Sequence, residues 1–222
     1  MRTSALFFDR EEGGRSLASR VRALPLHLPI VLGIPRGGVA TAAALAREIQ
    51  ADLDVVIARK IPAPGQPELA LGALAEGGYF HIDPVVGALV TIPPGYLEDQ
   101  KRKQAEEIAQ RQQKFRGMGG MADVKGRSVI VVDDGAATGS TLVVALAAVR
   151  ARGPRDLYAA VPVVAADSIN RIRESCDRLI FDSAPADFHA VGQYYTTFRQ
   201  LDDDDVANIL QTWVAEHHPA MP

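Results

Sequence analysis

The chain has 222 residues, of which 47% are hydrophobic and 23% charged, with a net charge of −3. That apolar share supports a sizeable buried core. The mild acidity excludes a surface built mainly to coat nucleic acid or an anionic membrane, and 19 Gly with 14 Pro are too few for a disordered low-complexity chain.

The N-terminal stretch reaches Asp9 and Arg10 before any apolar run develops, so no secretory signal is expected. Asp9 to Leu24 is predicted as a helix with Asp9 as N-cap and Glu12 three residues on. Ile30 to Gly33 reads as a short buried strand, followed by the turn Pro35-Arg36-Gly37-Gly38 and an Ala/Leu-rich helix from Val39 to Gln50. Asp54 to Ala58 reads as a second strand ending in Arg59-Lys60. The Pro62, Pro64, Gly65 and Pro67 that follow predict a long loop, mobile until a ligand binds. Leu97 to Phe115 is a strongly polar helix with few apolar positions (Leu97, Ile108 and Phe115), as expected of a solvated helix packed along one narrow stripe; a dimer contact is the other reading. Strands are predicted again at Ser128 to Val132, Leu157 to Val163 and Arg178 to Phe181, with helices at Ser140 to Arg152 and Ser168 to Cys176 between them. Asp202 to Val214 reads as a closing helix whose acidic first turn suits the helix dipole.

This alternation of strand and helix predicts an α/β fold: a mostly parallel central sheet flanked by helices. A single domain is expected over 1–222, with a core at about 26–182 and a small hood made from residues 1–25 and 183–222. Cys176 is the only cysteine, which leaves no intrachain disulfide and points to a reducing cytoplasm. No run approaches the roughly 18 apolar residues of a membrane span. His27, His81, His217 and His218 form no ligand-spaced group, and neither a metalloprotease nor a serine-hydrolase motif is present.

The segment that carries chemistry is VIVVDDGAATGST, Val129 to Thr141. An apolar strand delivers Asp133 and Asp134 to its carboxyl end, where open α/β sheets bind ligands. The small-residue loop Gly135-Ala136-Ala137-Thr138-Gly139-Ser140-Thr141 then enters a helix. A loop without bulk at a helix N-terminus can turn backbone N–H groups and hydroxyls onto a phosphate. Two acids would repel a phosphate, but they accept hydrogen bonds from a vicinal diol. A ribose 5-phosphate carries both groups. The lysine of a Walker A loop is missing, and so is the glycine spacing of a dinucleotide fingerprint.

This segment resembles the phosphoribosyl pyrophosphate (PRPP) signature of type I phosphoribosyltransferases: an apolar strand, two acids, three variable residues, then Thr-Gly-x-Thr. FFDREEGGRSLASRV, RKIPAPGQPELALGALAEGG and FHAVGQYY extend the resemblance, from Phe7 to the Asp202 helix, to the bacterial branch known simply as predicted phosphoribosyltransferases. The resemblance implies that Asp133 and Asp134 hold the ribose hydroxyls and that Gly135 to Thr141 cradle the 5-phosphate. It also implies that Pro35, Arg36, Gly37, Gly38, Arg59 and Lys60 serve the pyrophosphate, with Mg²⁺ carried in on PRPP near the two acids. Asp133, Asp134, Arg36 and Lys60 are the catalytic candidates. Phe188, His189, Tyr194 and Tyr195 are candidates for gripping the acceptor, or else for packing beneath the closing helix. Ala137 stands where 6-oxopurine enzymes typically carry an acid, which argues against hypoxanthine or guanine as acceptor. The implied partners are PRPP and a small nitrogenous acceptor, with no membrane or nucleic acid and with a second copy in a homodimer. The implied activity is Mg²⁺-dependent transfer of 5-phosphoribose with release of pyrophosphate; a regulator that binds PRPP without turning it over is the alternative.

Overall fold

The computed structural model describes residues 5–117 and 119–217, so His218 lies outside it. In chain order the elements are α1 (Arg10–Arg22), β1 (Ile30–Gly33), α2 (Gly37–Ile49), β2 (Asp52–Val55), β3 (Ala58–Ala63), β4 (Gln66–Ala75), β5 (Phe80–Ile82), α3 (Pro84–Leu89), α4 (Tyr96–Arg116), β6 (Ser128–Val132), α5 (Ser140–Arg150), β7 (Asp156–Val163), α6 (Ile169–Arg173), β8 (Arg178–Ser183) and α7 (Asp203–His217).

Five strands form a sheet in the order β2-β1-β6-β7-β8, every pair parallel. β1 and β6 are buried along their whole length, as β-branched runs covered on both faces should be. On one face Leu32, Val131 and Leu157 pack against Leu142 and Leu146 of α5. On the other, Val31 and Ile130 meet Leu17 and Val21 of α1 and Leu45 of α2. From β1 the chain crosses through α2 to β2 on one side; from β6 it crosses through α5 to β7 on the other. The winding therefore reverses between β1 and β6, and a crevice opens beyond their carboxyl ends.

The segment after β2 corrects two expectations. Asp54 to Ala58 is not one strand: β2 ends at Val55 and β3 begins at Ala58 in a separate three-stranded antiparallel sheet, β3-β4-β5. The predicted mobile loop is the β3–β4 hairpin. Pro62 is tolerated because β3 is an edge strand and its register shifts on both sides of Pro62, the places where a missing N–H costs least. Gly65, at φ 71°, makes the turn. β5 and α3 were not foreseen.

The remaining helices follow the sequence closely. Asp9 caps α1, its Oδ1 accepting from the Glu12 N–H at 2.9 Å. The long polar helix α4 buries Gln104, Ile108 and Phe115, one narrow stripe. The acids at the start of α7 divide their work: Asp202 caps the helix, while Asp203 and Asp204 pair with Arg111 and Lys114 of α4. His217 stacks on Trp213. No helix among the described residues is long and apolar enough to cross a membrane.

Candidate functional site

The β1–α2 and β6–α5 loops meet at the crevice and interlock through glycine. The Ile34 N–H donates to the Val132 carbonyl at 2.9 Å. A Cβ on Gly38 would stand 2.7 Å from that same carbonyl oxygen and 2.9 Å from Asp133 Oδ1, so only glycine lets the two loops approach this closely. The Pro35–Arg36 peptide is cis. Arg36 itself is exposed, at the mouth of the β1–α2 loop.

The phosphate-type loop is braced from outside. Its Ala136 carbonyl accepts from Ala165 N–H at 2.8 Å and its Ala137 carbonyl from Ser168 Oγ at 2.5 Å. The Thr138 carbonyl accepts from the Arg171 guanidinium, which also donates to Asp83 at the start of α3. The first-turn N–H groups of α5 have no intrahelical acceptor, and that of Ser140 donates to Thr138 Oγ1 at 3.4 Å. Gly139 turns the chain into α5 at φ 69°, and the Thr138 and Ser140 hydroxyls lie 3.2 Å apart.

The resulting pocket, about 140 Å³, is lined by Lys60, Asp133, the loop from Gly135 to Leu142, and Val191. Burial and the neighbouring Asp134 push the Asp133 carboxyl well above the ordinary range, with Lys60 acting in the opposite sense. Strand alternation separates the two predicted cations. Lys60 faces the pocket, whereas Arg59 turns to α4, donating to Gln104 Oε1 at 3.2 Å and pairing with Glu107. Burial and the nearby Arg111 lower the pKa of that guanidinium.

Asp134 does not line the pocket. It is bound at 2.6 Å by Arg10 Nε of α1, with the two side chains only 13% and 11% exposed. Burial raises the Asp134 pKa and the Arg10 charge opposes the rise. The Tyr195 hydroxyl donates to the Asp134 main-chain carbonyl at 2.5 Å. Of the predicted acceptor residues, Tyr194 and Tyr195 are buried in a cluster with Phe7 and Val163, against which Phe188 packs, and only His189 is exposed. Val191 and Phe198 pack against the same cluster.

Sequence reasoning missed Arg10, Arg171 and Val191. Val191 sits within the quoted FHAVGQYY stretch, while Arg10 and Arg171 carry no local signal, since their partners lie 124 and 88 residues away.

The all-parallel sheet places a glycine-cleared acid pair and a hydroxyl-rich helix entry at its switch point, where open α/β sheets bind ligands. The chain belongs to the phosphoribosyl transferase domain family, which matches residues 9–195. Two Mycobacterium tuberculosis proteins with provisional phosphoribosyl transferase names are 38% identical over 205 residues, 92% of this chain. The chain spans 46% of the length of these curated relatives. The crystal structure of TT1426 from Thermus thermophilus is 40% identical with a TM-score of 0.80, over 93% of this chain and 98% of that one. A Neisseria gonorrhoeae protein crystallised with ppGpp shares the fold at TM-score 0.53 and 13% identity, over 96% of this chain and 98% of that one.

Proposed function

We propose that the chain transfers the 5-phosphoribosyl group of PRPP to a nitrogen of a small heterocycle, releasing pyrophosphate. The observation that carries this reading is the convergence of Lys60 and Asp133 on the Gly135–Leu142 loop in one pocket at the switch point. The loop's N–H groups and the hydroxyls of Thr138, Ser140 and Thr141 receive the 5-phosphate. Asp133 accepts from the ribose diol. Lys60, with Arg36 from the facing loop, attracts the pyrophosphate.

At the anomeric carbon the bond to the pyrophosphate oxygen breaks, its electron pair leaving with that oxygen. The bond to the acceptor nitrogen forms, and the proton of that nitrogen passes to solvent. The oxocarbenium-like state between them is favoured by the Asp133 carboxylate near the ribose. The departing charge is met by Lys60 and Arg36, positioned in advance.

No three His, Cys, Asp or Glu side chains gather as a metal site among the described residues. Asp133 does offer hard oxygen at the pocket, which suits an ion arriving on PRPP. Mg²⁺ bound there would neutralise part of the pyrophosphate charge. Calorimetry with PRPP and Mg²⁺, followed by a pyrophosphate-release screen over nitrogenous bases, tests the proposal. Binding with release for at least one base is expected; binding without release for any base favours the regulator, and no binding overturns the reading.

A further inference from the structure

We propose that Arg171 is a positioning residue for the sugar phosphate: it turns the Thr138–Gly139 peptide so that its N–H faces the ligand, and Asp83 holds the guanidinium in place. The inference rests on the PRPP reading above and concerns two residues outside the signature segment.

Three successive peptide units of the phosphate loop are held by their oxygens. The Ala136 carbonyl accepts from the Ala165 N–H at 2.8 Å, the Ala137 carbonyl from Ser168 Oγ at 2.5 Å and the Thr138 carbonyl from the Arg171 guanidinium. All three donors lie on the stretch that leads from β7 into α6. These peptide units are trans, and in a trans unit the N–H points opposite to the C=O. Carbonyls drawn towards α6 therefore turn the N–H groups of Ala137, Thr138 and Gly139 away from it. Those three residues line the pocket with Lys60 and Asp133. Among the described residues, no acceptor takes any of the three N–H groups. Successive N–H groups presented together form an anion-binding concavity.

Arg171 is the donor that needs support. Ala165 donates from its main chain and Ser168 is 2% exposed, whereas the Arg171 side chain is 32% exposed. Asp83 steadies it from the far side, pairing with the same guanidinium. That carboxylate is anchored in turn: its Oδ1 accepts from the Val85 and Val86 N–H groups at 3.0 and 3.2 Å, and its own N–H donates to the Leu71 carbonyl at 2.9 Å. A chain of polarised groups thus runs from Asp83 through Arg171 and the Thr138 carbonyl to the Gly139 N–H, and such chains strengthen their terminal donor. The neighbouring Ile172 keeps α6 in register with the loop, since a Cβ on Gly139 would stand 2.9 Å from Ile172 Cγ1.

Calorimetry with PRPP in Mg²⁺, and with ribose 5-phosphate and Mg²⁺-pyrophosphate separately, tests the proposal. Wild type, Arg171→Met, Asp83→Asn and the double variant are compared, each with a thermal melt. Arg171→Met is expected to weaken PRPP and ribose 5-phosphate by about tenfold and pyrophosphate by less than about twofold. Asp83→Asn should weaken ribose 5-phosphate about threefold alone and add nothing to Arg171→Met, because it acts through that arginine. A merely structural role moves both halves of the ligand together and gives additive losses. Direct contact between Arg171 and the ligand predicts that freeing it from Asp83 leaves affinity unchanged or raises it. Either result overturns the inference. Should Arg171→Met fail to fold, Asp83→Asn decides alone: a loss confined to ribose 5-phosphate supports the proposal and no loss refutes it. Wild type that binds no PRPP strikes the functional reading first, whereas wild type and Arg171→Met binding PRPP equally well strikes only this inference.

Discussion

Replacing Gly37 with alanine puts the packing of this site under direct strain. The new Cβ would stand 1.9 Å from Asp134 Oδ2, 2.7 Å from its Cγ and 2.9 Å from Arg10 Nε, where real Cβ contacts essentially never fall below 3.0 Å. The carboxylate must retreat by about an ångström, and the 2.6 Å bond to Arg10 is lost beyond hydrogen-bond range. A charge-assisted hydrogen bond contributes about 1.5–3 kcal/mol. With both side chains slightly open to solvent, about 2 kcal/mol is the appropriate figure. For a chain of this size that lowers Tm by about 4–8 °C. Scanning calorimetry reads the change directly, with Gly120→Ala as the control, since nothing lies within 4 Å of a Cβ placed there and such a change is neutral or slightly stabilising. Gly37→Ala melting with wild type would show that the space beside Gly37 does not hold the carboxylate, and the reasoning would fail.

Three further outcomes are expected. Arg116, 7% exposed, bridges the buried Glu76 and the partly buried Asp54, so Arg116→Met strands one buried carboxylate and weakens the hold on a second, and should cost about 3 kcal/mol in denaturant unfolding; a loss below about 1 kcal/mol would deny that the Arg116–Glu76 pair is buried. Burial pushes the Cys176 thiol from its ordinary 9.0 up to about 11. An acid with a raised folded-state pKa stabilises the fold below its unfolded value, and that stability is lost as pH rises from about 9 towards 11. At pH 8 a thiol reagent should therefore label the folded chain about a hundredfold more slowly than the unfolded one, and equal rates would refute the assignment. Finally, Lys60→Ala should weaken PRPP binding at least about fivefold, whereas Arg59→Ala should act mainly on stability through its lost contacts with Gln104 and Glu107. Equal losses of affinity in isothermal titration would contradict the sorting of the two cations by strand alternation.

Four strands of the parallel sheet were legible because each centres on a short apolar run, whereas β2, Asp52-Leu53-Asp54-Val55, alternates acid and apolar residues and was expected two residues too late. β1 and β6 were found at their observed limits. The paired acids and the hydroxyl loop were legible for the same reason: they are consecutive in the chain. What failed was the passage from Val55 to Ala75. Val55, Val56, Ile57 and Ala58 form one unbroken apolar run in which the chain leaves one sheet and enters another. Proline and glycine masked the period-2 pattern of the hairpin beyond. Arg59 and Lys60 were singled out together, but adjacent residues of a strand face opposite ways, so their shared location in sequence became two locations in space. Arg10 and Arg171 were invisible because an arginine's partner is set by tertiary folding rather than by its neighbours.

The bond between Arg10 and Asp134 also orders events in time. Arg10 precedes its partner by 124 residues, and Asp134 precedes Tyr195, which fixes its carbonyl, by a further 61. At about 5–20 residues per second on a ribosome, the guanidinium waits roughly 6–25 s for its carboxylate and several more for the ring that secures it. The pocket is thus among the last parts of the molecule to be completed. A nascent chain halted before residue 195 would carry every residue of the phosphate loop and still lack the Tyr195 hydroxyl that holds the Asp134 carbonyl and the Phe198 ring and Arg199 carbonyl that fix Arg10.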